Sequence, residues 1–384
     1  MLAIRSRRVL LEDGSVAPAT VAWVGHSIVS VEGAAPAARA MDAGDLLVLP
    51  GMVDLHGDAF ERQVMPRPGV AFDMDVALAD TDRQLIANGI TTAYHAVTYS
   101  FEPGLRGAGS VRVFMAAMSR LRRSLACDTR GHLRHEAYNV DAVDEIRDWI
   151  ADGLVDLLAF NDHTPPLLEK ARSGKSLARY VERTGLDPAR FAELILSVGD
   201  RRDQVPGAIG RLAEAARGAA LPIASHDDET PEMRAAFRAL GSSICEFPKT
   251  AATAADARAH GEASVLGAPN VLRGGSQSGA IDAMPAIRAG LCDVLASDYY
   301  YPAMLLAPFR LDAETDLGFG RCWDLVSANP ACAAGLGDRG RLAPGRRADI
   351  VVVDDRDPRM PRVAAVVVAG RPALADLSAV CVAA

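Results

Sequence analysis

Leu49-Pro50-Gly51-Met52-Val53-Asp54-Leu55-His56-Gly57-Asp58 is the stretch on which the fold of this chain turns. Val48 to Val53 is mostly apolar and predicts a buried strand. Polar groups then take every second position, as Asp54, His56 and Asp58, and a strand sends alternate side chains to one face. On a barrel strand with both faces buried, the C-terminal end of the inner face is where catalytic groups sit. His56 and Asp58 are therefore expected to grip a metal ion from one strand, with Asp54 behind them as support. Taken alone, the pattern fits equally well a strand end whose polar residues meet solvent. The rest of the chain decides.

Downstream, the same strand signature recurs at Thr91–Thr98, His132–Tyr138, Val155–Asn161, Pro222–His226, Ser243–Phe247, Asn270–Arg273 and Asp293–Asp298. Helical patterns lie between them, at Val76–Asn88, Val111–Ala126, Val140–Ala151, Pro206–Arg217 and the alanine-rich Thr250–Arg258. Strands alternating with crossover helices over 50–340 predict a (β/α)8 (TIM) barrel. The stretch from Thr164 to Gly207 is long for one connection and predicts an inserted helical lid or side element. Both ends of the chain read as β instead. Leu2–Leu11, Val16–Val24 and Ser27–Val31 are punctuated by Asp13-Gly14 and Gly25; Ile350–Val353 and Val363–Val368 close the chain. Residues 1–49 and 341–384 are thus expected to pair as a small β-sandwich domain beside the barrel.

The 384 residues are 49% hydrophobic and 23% charged, ordinary for a globular protein. A net charge of −8 gives no footprint for nucleic acid or an acidic membrane, and an anionic substrate would need a local basic pocket. Six scattered cysteines without C-x-x-C argue against a disulfide framework and a thiolate zinc site, and for a reducing, cytoplasmic setting. Met1 to Leu11 lacks the features of a signal peptide, and no uncharged apolar run is long enough to span a bilayer. A homo-oligomer is compatible with all of this.

Metal-ligand residue types gather at the strand ends: His56 and Asp58; Arg134-His135-Glu136; Asn161-Asp162-His163; Ser225-His226-Asp227-Asp228; Ser297-Asp298. The chain has only eight histidines, and three of them fall at these ends. Imidazole with carboxylate suits zinc, manganese or iron. His135 alternates away from Glu136 and is expected to face the helices. His95 reads as a structural or pocket-wall residue, and Asp227 and Asp228 as supports or caps rather than ligands. Tyr299-Tyr300-Tyr301 fits either a sugar pocket or plain packing.

Several motifs carry a resemblance. Met52-Val53-Asp54-Leu55-His56, Ser297-Asp298 and Gly340-x-Leu342-x-x-Gly345-x-x-Ala348-Asp349 resemble the amidohydrolase superfamily of metal-dependent hydrolases. Leu55-His56-Gly57-Asp58, Pro66-Arg67-Pro68, Gly89-Ile90-Thr91-Thr92, Ala224-Ser225-His226-Asp227-Asp228, Glu246-Phe247-Pro248, Gly267-Ala268-Pro269-Asn270, Arg273-Gly274-Gly275-Ser276 and Ser297-Asp298-Tyr299-Tyr300 are similar to one family within it. That family is the α-D-ribose 1-methylphosphonate 5-triphosphate diphosphatases of the carbon–phosphorus lyase pathway, and the resemblance runs nearly end to end.

The resemblance implies a barrel with a β-sandwich, two divalent ions (Zn, Mn or Fe) and release of pyrophosphate from a phosphorylated sugar by a metal-activated hydroxide. Under it, His56, Asp58 and Asp298 would hold one ion, His163 and His226 the other, and Glu136 would bridge them where the superfamily often has a carboxylated lysine. Asp298 would take the proton of the attacking water. Arg67, Arg134 and Arg273 would meet the triphosphate together with the loop Gly274-Gly275-Ser276-Gln277-Ser278-Gly279, which offers backbone N–H groups and hydroxyls. Arg62 and Lys249 are further candidates. Superfamily members usually carry His-x-His on strand one and the later histidines on strands five and six. Here the second ligand is Asp58, and His163 and His226 fall on strands four and five. The alternatives are a C–N hydrolase acting on a cyclic amide, such as a hydantoin or dihydropyrimidine, and a catalytically silent barrel.

Overall fold

The computed structural model describes residues 1–32, 40–177, 184–276, 279–375 and 381–382. Two sheets organise them. The first is an eight-stranded parallel sheet running in chain order through Met52–Gly57, Ile90–Tyr99, Asp128–Glu136, Leu157–Asn161, Ile223–His226, Ile244–Glu246, Ala263–Gly267 and Val294–Ala296. Apolar residues on the two faces of these strands do different jobs. Val53, Leu55, Leu157, Ala159, Ala224, Ile244, Val265, Val294 and Ala296 form one buried cluster. Leu133, Leu158 and Phe160 pack with Phe114, Met118, Ile146 and Leu212 of the surrounding helices. Strands buried on both faces by crossover helices are what a (β/α)8 barrel demands.

The seam between the first and last strands is thin. It has a bridge at Gly57 and Asp298, with the Asp298 N–H donating to the His56 carbonyl at 2.8 Å and the Asp58 N–H to the Asp298 carbonyl at 2.9 Å. Asp54 reinforces it. Its Oδ1 accepts the Ser297 N–H at 2.9 Å and its Oδ2 accepts the Ser297 hydroxyl at 2.6 Å.

Asp54 thus supports His56, whose N–H donates to its Oδ1 at 3.3 Å, but from the seam and not from the face that alternation predicts. Against the second strand, Asp54 aligns with Ala93 and Gly57 with His95, so the first strand carries one residue more than its partner. That bulge breaks the period of two and turns Asp54 to the seam while His56 enters the barrel.

Seven of the eight expected barrel strands overlap observed ones; the seventh needs correction. Asn270–Arg273 lies in the helix Ala268–Arg273, and the strand is Ala263–Gly267. Pro269 in the helix's first turn supplies a preset φ where no N–H is needed, and Ser264-Val265-Leu266 is the true apolar run. The fourth and fifth strands stand as expected, so His163 and His226 keep those positions. The stretch after Thr164 contains the helices Thr164–Arg172 and Pro188–Gly199.

The second sheet has nine strands and interleaves both ends of the chain. Its main order is Arg371–Ala375, Arg362–Val368, Ile350–Asp354, Leu47–Pro50, Leu2–Leu10, Val16–Val24 and Ser27–Glu32. Ile350–Asp354 pairs antiparallel with Leu47–Pro50, which ties the C-terminal strands to the N-terminal ones. Ile4, Val9, Val21, Trp23, Val48, Ile350, Val352 and Val367 form its own core. Among the described residues no helix is long and apolar enough to cross a membrane.

Candidate metal centre

The C-terminal ends of the barrel strands open into a cavity of about 1120 Å³. His56, Asp58, Glu136, His163, His226 and Asp298 all line it. Each is delivered by a strand end: His56 and Asp58 by the first, Glu136 by the third, His163 by the turn after the fourth, His226 by the fifth and Asp298 by the eighth.

Within the cavity, two groups of potential ligand atoms each lie within 4.8 Å of one another: His56, Asp58 and Asp298, and His163, His226 and Asp227. A third group, His56, His226 and Glu246, meets the same limit deeper in the barrel. Five of the expected ligands therefore converge. Glu136 is close by but engaged. Its Oε1 accepts the His163 N–H and the Thr164 hydroxyl, both at 3.0 Å, and its Oε2 is 3.2 Å from His163 Nδ1. Asp227, expected as a support or cap, instead faces His163 Nε2 at 3.3 Å and Lys249 Nζ at 2.9 Å.

The backbone around the site is unusual. Asp227, Phe247 and Asp298 have φ of +63°, +52° and +53°. Each follows a barrel strand end, and left-handed non-glycine residues gather where surrounding structure enforces a functional geometry.

The cavity carries eight carboxylates: Asp58, Glu102, Glu136, Asp162, Glu169, Asp227, Glu229 and Asp298. Its basic side chains are Arg106, Arg134 and Lys249, beside the histidines. Burial first, and neighbouring acids second, raise two of these carboxylates. Burial and then Asp58 push Asp298 up to about 7; burial and then Glu61 push Asp58 up to about 6. Burial, followed by the Arg134 charge, keeps His56 and His226 well below the usual imidazole range. At His163 burial opposes the charge, but hydrogen bonds to Asp227 and Glu136 outweigh it and raise the pKa to about 9.

Several buried polar atoms here have no hydrogen-bond partner: His132 Nε2, His226 Nδ1, Glu246 Oε1 and Asp162 Oδ1. Buried polar atoms without partners are costly, and these belong to imidazoles and carboxylates. A donor set of imidazole and excess carboxylate fits divalent cations.

The expected phosphate contacts divide. Arg134 reaches the centre: its Nη2 donates to His226 Nε2 at 3.0 Å and its Nη1 lies 3.6 Å from Asp58. Ser276 lines the cavity. Arg67, Arg273, Gly274 and Gly275 are not among its lining residues. Arg67 is exposed, and Arg273 is exposed with Nη1 donating to the Tyr299 hydroxyl at 3.1 Å. Gln277 and Ser278 lie outside the described residues. Arg273 ends the helix Ala268–Arg273 and Gly274 follows it, so no strand end aims them inward, which a Gly/Ser composition does not reveal.

Arg106 was not foreseen. It follows the second strand, and Glu61 fixes it through two hydrogen bonds of 3.0 Å. An arginine within the glycine-bearing turn between a barrel strand and its helix was the available signal. Lys249 follows the sixth strand. The second and sixth strands lie four apart in the ring, so the two cations reach the cavity from loops after different strands.

Three other readings resolve. His135 faces the helix side, with Nε2 3.1 Å from the Asn139 carbonyl and its ring edge-on to Phe160. His95 packs edge-on against Phe60 and Phe114 outside the cavity. Tyr301 is buried beside Gly57, whereas Tyr299 receives Arg62 over its ring at 5.9 Å.

A barrel of this topology with imidazoles and acids at the C-terminal mouth defines a metal-dependent hydrolase scaffold. The amidohydrolase family model matches residues 168–374, and the chain belongs to that family. It is 31% identical over 364 residues to the α-D-ribose 1-methylphosphonate 5-triphosphate diphosphatase of Escherichia coli (strain K12), covering 93% of this chain and 96% of that one. An adenine deaminase of Methylobacterium sp. (strain 4-46) is 26% identical, with 98% of this chain covering 59% of that protein. In fold, the N-acetyl-D-glucosamine-6-phosphate deacetylase of Mycobacterium smegmatis superposes with a TM-score of 0.63 at 17% identity, over 97% of this chain and 100% of that one.

Proposed function

We propose that this protein hydrolyses α-D-ribose 1-methylphosphonate 5-triphosphate to α-D-ribose 1-methylphosphonate 5-phosphate and pyrophosphate. The identity running through 93% of the chain to an enzyme of that name is the observation that carries the reading. The cavity supports it with a donor set suited to divalent ions and with three basic side chains in its lining.

In this reading His56, Asp58 and Asp298 hold one ion, and His163 and His226 the other. Asp227 is the carboxylate within reach of the second ion. Glu136, expected as the bridging acid, braces His163 through its N–H and ring and would orient it for that ion. When bound, divalent ions lower the pKa of water and polarise a phosphoryl oxygen. Asp298 accepts the proton of the attacking water at its carboxylate. Arg134, Arg106 and Lys249 offset charge on the phosphoryl oxygens and on the departing pyrophosphate. Pro165, Pro166 and Leu167, at the start of the helix after the fourth strand, form an apolar part of the wall that limits water around the reacting phosphorus.

The test is pyrophosphate release, read with a coupled pyrophosphatase and malachite green, from enzyme loaded with Mn²⁺ or Zn²⁺. Release that disappears on chelation and returns with metal is expected. No release from metal-loaded enzyme overturns the reading. Hydrolysis of a C–N bond, as in a cyclic amide, is the alternative; the 26% identity with an adenine deaminase points to C–N chemistry in general, and turnover of adenine, a dihydropyrimidine or a hydantoin without pyrophosphate release would select it.

A further inference from the structure

Beneath the cavity the barrel holds a set of polar groups that the reaction does not use. Glu246 ends the sixth strand and is wholly buried. Its Oε2 lies 3.1 Å from His56 Nδ1 and 3.7 Å from His132 Nε2. His132, also wholly buried, faces the Leu55 carbonyl through Nδ1 at 3.0 Å. The rings of His56 and His132 meet edge-on with centroids 5.0 Å apart.

The hydrogens can be placed from the acceptors. A carbonyl only accepts, so the His132 hydrogen is on Nδ1 and its Nε2 is a bare lone pair. That lone pair cannot donate to Glu246, and 3.7 Å is beyond hydrogen-bond range. His56 is then the imidazole that donates to the Glu246 carboxylate, through Nδ1. This leaves the Nε2 lone pair of His56 free. His56 is also the imidazole that shares a 4.8 Å cluster with Asp58 and Asp298. A ligand histidine whose second nitrogen donates to a carboxylate is locked in tautomer and ring angle, and made more basic.

We propose that Glu246 is the positioning residue of the metal centre: it holds His56 with Nδ1 protonated so that Nε2 is presented to the ion. His132 walls the carboxylate on its other side, keeping His56 as its donor. The inference rests on the metal centre proposed above, though not on its substrate.

The test is metal binding by the full-length protein, read as equivalents bound, as affinity in a competition titration, and as the visible spectrum with Co²⁺. Three variants separate the roles. Gln at 246 still accepts from His56 through its carbonyl oxygen; Asp is one methylene short of doing so; Leu cannot. Far-UV circular dichroism and thermal unfolding verify folding, and the Asp variant keeps the test decisive if Leu does not fold.

The expected result is an affinity ~10- to 100-fold weaker for Glu246→Asp and Glu246→Leu, with the full number of equivalents recovered at saturation. Glu246→Gln should stay near wild type with a wild-type Co²⁺ spectrum. Wild-type affinity and spectrum in Glu246→Asp would show a merely structural carboxylate and overturn the inference. Loss of one equivalent in Glu246→Gln at saturating metal would make Glu246 a ligand and also overturn it. A wild-type protein that binds no metal sinks the metal centre itself, which separates the two failures.

Discussion

Gly57→Ala tests whether the seam of the barrel and the metal centre are one mechanical unit. Gly57 stands between two expected ligands, and its Cα faces the Asp54–Ser297 contact. An added Cβ would lie 2.8 Å from Asp54 Oδ2, 3.0 Å from Ser297 Oγ and 3.1 Å from Tyr301 Cε1. Asp54 cannot swing away cheaply, because it is wholly buried and accepts from both the hydroxyl and the N–H of Ser297. Overpacking of this kind costs ~1–3 kcal/mol. If Asp54 yields and its oxygen loses Ser297, a further ~1–3 kcal/mol of buried, unsatisfied polar group is added. A loss of ~3 kcal/mol is therefore expected, read as a lower urea midpoint at unchanged slope. Metal affinity should fall with it, because the same movement shifts His56 and Asp58 against Asp298. Gly207→Ala is the control. Nothing lies within 4 Å of its added Cβ, it sits in the helix Val205–Gly218, and it should gain ~0.5–1 kcal/mol. A Gly57→Ala protein with wild-type midpoint and metal affinity would refute the reasoning.

Two further expectations follow from buried charge. Burial lowers the pKa of His95 to about 4 from the model-peptide value of 6.5, so the unfolded chain takes up the proton first. Its stabilising contribution is whole above ~pH 6.5 and is lost as pH falls toward 4; at pH 5 the loss is ~2 kcal/mol. His95→Leu should remove that share of the acid sensitivity in urea titrations at neutral pH and pH 5, and a variant as acid-sensitive as wild type would contradict it. For the substrate, Lys249→Ala and Arg106→Ala should each raise KM ~10-fold or more, the worth of one charge-assisted contact, while Arg273→Ala changes it less than ~2-fold. The reverse order in steady-state kinetics would return phosphate binding to the Gly/Ser loop.

The barrel was legible because its strands are short apolar runs closed by polar residues, and a strand end fixes where the next side chain goes. His56, Asp58, His163, His226 and Asp298 could be named for that reason. Features set by neighbouring strands were not legible. The extra residue between Asp54 and Gly57 exists only relative to Ala93 and His95, so alternation sent Asp54 to the wrong face. Asp227 meets Lys249 across the fifth and sixth strands, a pairing no local pattern announces. Glu246 and His132 are polar residues inside apolar strands, and each gains meaning only from the other and from His56. Asn270–Arg273 misled because Val271-Leu272 reads as a strand, until Pro269 is seen to start a helix.

The charge of the mouth makes metal and substrate binding interdependent. Eight carboxylates outnumber Arg106, Arg134, Lys249 and the charged His163 and repel a polyanion, and Arg106 and Lys249 are already engaged by Glu61 and Asp227. Two divalent ions would bring four positive charges into the same volume and draw Asp227 away from Lys249. The Lys249 ammonium released in this way would then turn to phosphate. Ligands that bind more tightly in each other's presence do so reciprocally. A phosphate chain should thus raise the affinity for the ions by the same factor by which the ions raise affinity for the chain. If the proposed substrate is right, that coupling would let a protein of net charge −8 accept a highly charged anion without a basic surface.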